Sequence, residues 1–472
     1  MTARLNDILS AISGFVWGPF LLIPLLLGTG LFLTIRLRGI QFRTLGRSVR
    51  HAFVDKNEGG EGDISNYQAL TTALAATVGT GNIVGVATAI SIGGPGALFW
   101  IWMTGIVGMA SKYSEAYLGV RFRTTDAKGK QAGGPQVYLK RALPGRWGVF
   151  LAGAFTLFTI FASFGIGNLA QGNSIAAGLG DAFGVDPTVS GIIIFFCVGA
   201  AVLGGIEGVG KITAAFVPLM IVIYVTGGIV ALAMMADRVP AAIATIFTDA
   251  FTGTAATGGF VGSGIMLAIQ FGVARGIFSN ESGMGSAAIA AAAAKTQHPA
   301  RQALVSMTQT FIDTIIVVTI TGLVIVTAGT WDMGREEAAV MTASAFSQAL
   351  PGDWGNLIVS VSLVFFAFST ILGWSYYGER ATIALFGEWA SVPYRMIFTV
   401  MAFVGAVSHL ELAWTFSDLS NGLMAIPNLI GLLILSGVVA KETREYLQFD
   451  PLLKKSPEEV AAFVEHQQMD WK

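Results

Sequence analysis

Charge is scarce in this 472-residue chain: 12% of residues are Asp, Glu, Lys or Arg, whereas 53% are hydrophobic. Mean hydropathy is +0.66. Soluble domains carry roughly a quarter charged residues, so the composition excludes an ordinary soluble fold and predicts a membrane protein. One cysteine, Cys197, rules out an intrachain disulfide and argues against a Cys-ligated metal site. Alternating ten-residue strand segments are missing, which argues against an outer-membrane barrel. The four histidines, His51, His298, His409 and His466, fall outside or at the ends of the apolar runs. With no nucleophile and base pair evident, the chain is not read as an enzyme. The N-terminal stretch MTARLNDILSAISGFVWGPF lacks a cleavage site after a short apolar segment, which predicts a retained span and no signal peptide. The net charge of -1 says nothing about partners.

Glycine, by contrast, is abundant, with 59 residues, as expected where transmembrane helices approach closely. Apolar segments of about 20 residues each can cross a bilayer, and they recur throughout. Hydropathy predicts eleven helices, at 12–35, 66–91, 95–120, 147–177, 188–205, 212–236, 257–290, 302–328, 354–384, 393–409 and 412–440. The loop 36–65 holds Arg36, Arg38, Arg43, Arg47, Arg50 and Lys56. The loop 121–146 holds Arg121, Arg123, Lys128, Lys130, Lys140, Arg141 and Arg146, whereas 237–256 and 329–353 hold only Arg238 and Arg335. The positive-inside rule then places the basic loops in the cytoplasm, the N-terminus outside and the C-terminus inside. Setting aside the first helix leaves five plus five, and an odd number per half means inverted halves. The expected organisation is a peripheral helix and basic loop (1–65), a first repeat (66–236), a second, inverted repeat (237–440) and a cytoplasmic tail (441–472).

Residues 75–86 read AATVGTGNIVGV, with glycines at 79, 81 and 85 and an asparagine at 82 inside an apolar run. Unwinding a helix in hydrocarbon leaves backbone groups unsatisfied at several kcal/mol each, so a break there requires polar partners. The amides of Thr80, Gly81 and Asn82 open the outer half-helix and suit a carboxylate. The carbonyls around Ala75 to Val78 end the inner half and suit a cation, while Thr77 and Gly79 join Thr80, Gly81 and Asn82 as candidate substrate contacts. A zwitterionic amino acid beside a small cation satisfies both ends. Close packing through small residues is the alternative, but it leaves a second break unexplained. The glycines also begin a G-x-G pattern. No strand precedes it and the third glycine is misplaced, so dinucleotide binding is rejected.

That second break is FGVARGIFSNESGMG at 271–285, at the corresponding position of the second half. Paired broken helices in inverted halves point to a secondary transporter with a midplane site. The segment contains Arg275, Phe278, Ser279, Asn280 and Glu281. Arg275 and Glu281 are either functional or a structural ion pair. Asn280 is the stronger ligand candidate, and the carbonyls of 274–277 suit an ammonium group. Ser369 and Thr370 lie side by side in an apolar helix, where hydroxyls either back-bond or complete an oxygen site for a hard cation. Trp374, four residues on, walls the pocket or packs. Asp313, a lone carboxylate inside a span, suits a second cation or a proton. Phe164, Asn168 and Gln171 fall at i, i+4 and i+7, on one helical face, which serves either a site or the bundle's own hydrogen bonds.

The stretches TVGTGNIVGVATAISIGGPGALFWIWMTGIVGMASKYSEAYLGVRFR (77–123), GIFSNESGMGSA (276–287) and FAFSTILGWSYYGER (366–380) resemble the alanine or glycine:cation symporters, the sodium:alanine symporter family, over essentially the whole chain. The resemblance implies an all-α polytopic protein with the leucine-transporter-like 5+5 inverted repeat and one extra N-terminal helix. It implies a multi-pass plasma-membrane symporter of alanine or glycine, coupled to sodium or sometimes to protons, with no organic cofactor and no nucleic-acid partner. It also implies that Thr80 and Gly81 amides hold the substrate carboxylate. Carbonyls of Ala75, Val78 and Phe366 with the Ser369 and Thr370 hydroxyls would surround sodium, and Phe164, Phe278 and Trp374 would keep the pocket small.

Overall fold

The computed structural model describes residues 2–54, 59–252, 261–334, 337–408 and 411–466, and these are almost entirely helical. Lys56, Arg335, His409 and the first residues of the expected 257–290 helix lie outside them. The first expected span is two helices, α1 (Thr2–Val16) and α2 (Leu22–Arg36), separated around Gly18 and Pro19. The basic stretch that follows holds a helix as well, α3 (Ile40–Phe53), at 82° to α2.

The first broken helix is α4 (Asn66–Thr77) followed by a π-helical turn, Gly81–Gly85, and α5 (Val86–Gly93), with a bend of 54°. Its start is fixed by a capping box between Ser65 and Gln68, with bonds of 3.2 and 2.9 Å in the two directions. Next come α6 (Ala97–Arg121), a two-stranded hairpin (Thr124–Thr125 with Gln131–Ala132), and α7 (Pro135–Ala142). The chain continues through α8 (Gly145–Phe164), a π turn at Gly165–Leu169, α9 (Ala170–Phe183), α10 (Pro187–Leu203) and α11 (Gly205–Met234).

The segment expected as an outer loop instead forms α12 (Val239–Thr252), which precedes the second broken helix, α13 (Val261–Asn280) and α14 (Ala287–Ala292). Then follow α15 (Pro299–Thr310), a π segment at Phe311–Val318, α16 (Thr319–Ala328) and a short helix, α17 (Ala338–Ala349), which hydropathy also missed. The chain closes with α18 (Trp354–Phe386), α19 (Ser391–Val407), α20 (Glu411–Phe449) and α21 (Pro457–His466). Among the described residues, six helices are long and apolar enough to cross a membrane, or up to eight if each of two bent pairs is one span. Large apolar side chains such as Phe196, Leu219, Met396 and Ile434 face outward, as lipid contact requires.

Small residues set the close approaches. A Cβ on Gly105, Gly108 or Gly119 of α6 would stand 2.6–2.8 Å from Thr314, Ser282 and Ala288, so α6 packs directly along the second break. A Cβ on Gly373 of α18 would stand 2.6 Å from Ala76, which presses α18 onto the end of α4. Ion pairs cross the face carrying the basic loops. Asp126 of the hairpin takes both terminal nitrogens of Arg380 at 3.0 Å, Lys130 pairs with Glu207, and Arg395 pairs with Glu379 at 2.7 Å.

Candidate functional site

Pressing α18 onto α4 brings distant oxygens together. Ser369 Oγ lies 3.3 Å from the carbonyl oxygens of Ala75 and Val78 and 2.9 Å from that of Phe366. Thr370 Oγ1 lies 3.0 Å from the same Phe366 oxygen. Val78 is extended, with ψ of 90°, so its carbonyl leaves the helical ladder and turns to α18. Both hydroxyls do back-bond to their own helix, yet Ser369 also reaches the chain end of α4. Three carbonyls and two hydroxyls, all neutral, make an oxygen-only cluster of the kind a hard monovalent cation requires.

Beside this cluster, a Cβ on Gly79 would collide with Thr370 Oγ1, so any larger residue there has to displace that hydroxyl. The Gly79 amide donates to Asn82 Oδ1 at 2.8 Å, and the Asn82 amide donates to Gly79 O at 3.1 Å. Asn82 is therefore a clamp on the break, which corrects its expected amide contact to a carboxylate. Thr80 and Gly81 remain as the candidate amides. Gln171 donates to Thr80 Oγ1 at 3.3 Å, while its Oε1 is buried without a hydrogen-bond partner. A Cβ on Gly79 would lie 3.7 Å from that oxygen, so a buried acceptor stands next to the amides. A Cβ on Gly81 would stand 3.2 Å from Phe278 Cδ1 and 3.4 Å from Ser279 Cα; the two breaks touch there.

Asp313 joins them. It is fully buried and accepts from Asn82 Nδ2 at 2.7 Å, Ser279 Oγ at 2.9 Å and Thr314 Oγ1 at 2.9 Å. Thr77 Oγ1 accepts from Gln309 at 2.8 Å, and Gln309 also donates to the Asn280 carbonyl at 3.3 Å. Asn280, expected to face a ligand, spends its side chain on Thr314 (3.0 Å) and on the Ser282 amide (2.9 Å). Of the carbonyls 274–277, that of Ile277 accepts from the Glu281 amide at 2.8 Å.

The Arg275–Glu281 pairing considered from sequence is replaced by separate partners. Arg275 lies over the Phe278 ring at 5.6 Å and shares a cavity with Asp418. Glu281 adopts φ of 54°, accepts from Ser286 Oγ at 2.5 Å, and gives its carbonyl to Lys112 Nζ at 3.2 Å. Sequence reasoning passed over Lys112 and Glu115, although both stand in a quoted span. Glu115 Oε1 accepts from the Gly285 amide at 3.0 Å and from Asn428 at 2.7 Å, and Asn428 also bonds Gly283 O at 2.8 Å. Two buried ionisable residues three apart inside a span were the available signal; their work is to satisfy the unwound 281–286 backbone.

The face shared by Phe164, Asn168 and Gln171 does not survive. The π turn at Gly165–Leu169 inserts extra residues per turn, so Phe164 packs on Tyr394 at 5.2 Å and Asn168 donates to Phe398 O at 2.7 Å. Only Gln171 reaches the break. Trp374 is buried against Gly167 of the same π turn, edge-on to Tyr377 at 5.7 Å.

The model for the sodium:alanine symporter family matches residues 2–460. A sodium/alanine symporter, AgcS, of Methanococcus maripaludis is 51% identical over 93% of this chain and 97% of its own. A putative sodium/proton-dependent alanine carrier, YrbD, of Bacillus subtilis is 33% identical over 93% and 92%. The probable sodium/glutamine symporter GlnT of the same organism is 34% identical over 94% and 91%. Among solved structures, a mutant manganese transporter of Eremococcus coleocola matches with a TM-score of 0.52 at 12% identity, over 88% of this chain and 95% of that one. At that identity the likeness concerns the fold alone.

Proposed function

This chain belongs to the sodium:alanine symporter family, a family of transporters and not of enzymes, and on that premise we propose that it carries a small neutral amino acid, alanine or glycine, into the cell together with sodium. The observation that carries the reading is the convergence of Ala75, Val78 and Phe366 carbonyls with the Ser369 and Thr370 hydroxyls, directly beside the Thr80 and Gly81 amides. Sodium occupies the oxygen cluster. The substrate carboxylate meets the two amides, and its ammonium group meets the partnerless Gln171 Oε1. Phe278, against Gly81, limits the side chain to a small one. The substrate carboxylate and sodium are then neighbours of opposite charge, so each favours the other's binding.

Eleven spans in a 5+5 inverted repeat with one extra N-terminal helix agree with the paired breaks at Val78–Thr80 and Glu281–Ser286. In this reading the chain lies in the plasma membrane with the N-terminus outside and the basic loops in the cytoplasm. Alternating access rocks one part of the bundle about the fixed breaks. The Asp126–Arg380 pair then holds the cytoplasmic side closed. A tenfold sodium gradient with 100 mV supplies about 3.7 kcal/mol per ion, enough for roughly 500-fold accumulation at one ion per substrate.

One observation favours a second coupling ion. Asp313 ties the two broken helices together through Asn82 and Ser279, and as a buried carboxylate inside a span it is the candidate for a second cation or a proton. Radiolabelled amino-acid uptake into proteoliposomes, with sodium and pH gradients imposed separately, tests both readings. Saturable uptake driven by sodium alone supports sodium symport, uptake driven by the pH gradient alone assigns proton coupling, and non-saturating flux would indicate a channel.

A further inference from the structure

The elbow between α2 and α3 builds a basic cavity whose lining shares no residue with the site described above. Two successive left-handed residues, Arg38 (φ 56°) and Gly39 (φ 62°), turn the chain by 82°. Such a conformation is strained for arginine and persists only where the surroundings enforce it; here the Gly39 amide donates to Thr34 O at 2.7 Å. α2 shows an apolar outer face, with Leu31, Phe32 and Ile35 exposed, and Phe42 at the start of α3 is 68% exposed. α2 therefore runs through hydrocarbon, and α3 lies along its boundary with an apolar residue dipped inward.

At that corner a cavity of about 120 Å³ is lined by Arg36, Arg38 and Arg43 from the elbow and by Arg444 from α20, and no Asp or Glu lines it. The four guanidiniums repel one another, and no carboxylate in the lining balances them. What fits is an anion with several acceptor oxygens, since guanidinium matches phosphate in a bidentate fork. A second cavity further along α3, lined by Arg47, Arg50 and Lys454 among others, extends the same charge, while Lys455 in its lining pairs with Glu459 at 2.5 Å. Basic pockets at the headgroup level of a leaflet recognise anionic lipids. We propose that the α2–α3 elbow and α20 bind the phosphate of an anionic phospholipid, with its acyl chains along Phe32, Ile35 and Phe42. A free phosphate meets the same guanidiniums but has nothing to place on that apolar face.

The test uses the purified full-length chain in neutral detergent, titrated with phosphatidylglycerol, phosphatidylcholine or inorganic phosphate. Melting temperature and lipid retained per chain, by native mass spectrometry, are read together. Phosphatidylglycerol should raise the melting temperature by several degrees and remain bound, while phosphatidylcholine and phosphate do neither. Arg36→Gln with Arg444→Gln should lose both effects yet melt like the wild type in phosphatidylcholine. Arg444→Gln alone, at an exposed position, should lose part of each and serves if the double variant does not fold. Equal response to phosphatidylcholine, a full response to inorganic phosphate, or an unchanged phosphatidylglycerol shift in both variants would overturn the proposal.

Discussion

Asn82 donates its side-chain N–H to Asp313 Oδ1 at 2.7 Å across 231 residues of sequence, and through this bond the first broken helix is tied to the carboxylate that also holds Ser279 of the second. Asp313→Asn would set an amide donor against Asn82, Ser279 or Thr314. A buried donor left without a partner costs about 1–3 kcal/mol. Uptake should fall at least about tenfold, a factor worth about 1.4 kcal/mol, with a lower melting temperature. Wild-type uptake and melting would show that Asp313 couples nothing.

The cation cluster makes its own prediction. Thr370→Ala removes one of five oxygens and leaves Ser369 and the three carbonyls. The sodium concentration for half-maximal uptake should rise several-fold, with maximal uptake at saturating sodium largely kept. Sodium titration of initial rates in proteoliposomes measures this; an unchanged sodium dependence would mean that the hydroxyl only back-bonds to Phe366.

Glycines within the break should differ sharply. Gly79→Ala meets Thr370 Oγ1, and Gly81→Val meets Phe278 and the Ser279 backbone, whereas a Cβ on Gly85 finds only Thr80 O at 4.0 Å. Binding assays should therefore show substrate affinity abolished in Gly81→Val, sodium affinity lowered in Gly79→Ala, and both kept in Gly85→Ala. Retained substrate affinity in Gly81→Val would contradict the amide cradle.

Legibility in the sequence followed the reach of each signal. The first break was readable because Gly79, Gly81 and Asn82 violate helix propensity in one place, and Ser369 with Thr370 because two adjacent hydroxyls stand out in an apolar helix. The Phe164–Asn168–Gln171 face rests on a 3.6-residue period that a π turn interrupts, and of its two readings Asn168 takes the bundle's own hydrogen bond, to Phe398 O. Asn82 and Asn280 looked like ligands because unwound segments need bonding, but both turned inward to supply it. That choice depends on where Asp313, Thr314 and Gly79 sit in three dimensions. The helices α12 and α17 escaped hydropathy because they are too short to cross a bilayer.

The Asp126–Arg380 latch predicts what pH does not do. Burial pushes the Asp126 carboxyl up, but the Lys130 amide and the Arg380 guanidinium outweigh it and hold the group below the usual carboxylate range. A depressed value stabilises the folded pair above the unfolded value, about 4, and that contribution is lost as pH falls through the folded value. The latch thus stays charged across roughly pH 5–8. Asp126→Asn should raise labelling of engineered cysteines near Tyr376, from the face of the basic loops, equally at each pH in that window. A labelling difference that grows only toward the acid end would contradict it.

The most direct test of sodium-coupled amino-acid symport is simultaneous flux of ²²Na⁺ and radiolabelled alanine in proteoliposomes of the purified chain under an imposed potential. Saturable alanine entry accompanied by a fixed ratio of sodium ions, with Thr370→Ala shifting the sodium dependence, is the predicted result. Alanine entry without matching sodium entry, or entry that never saturates, would contradict it.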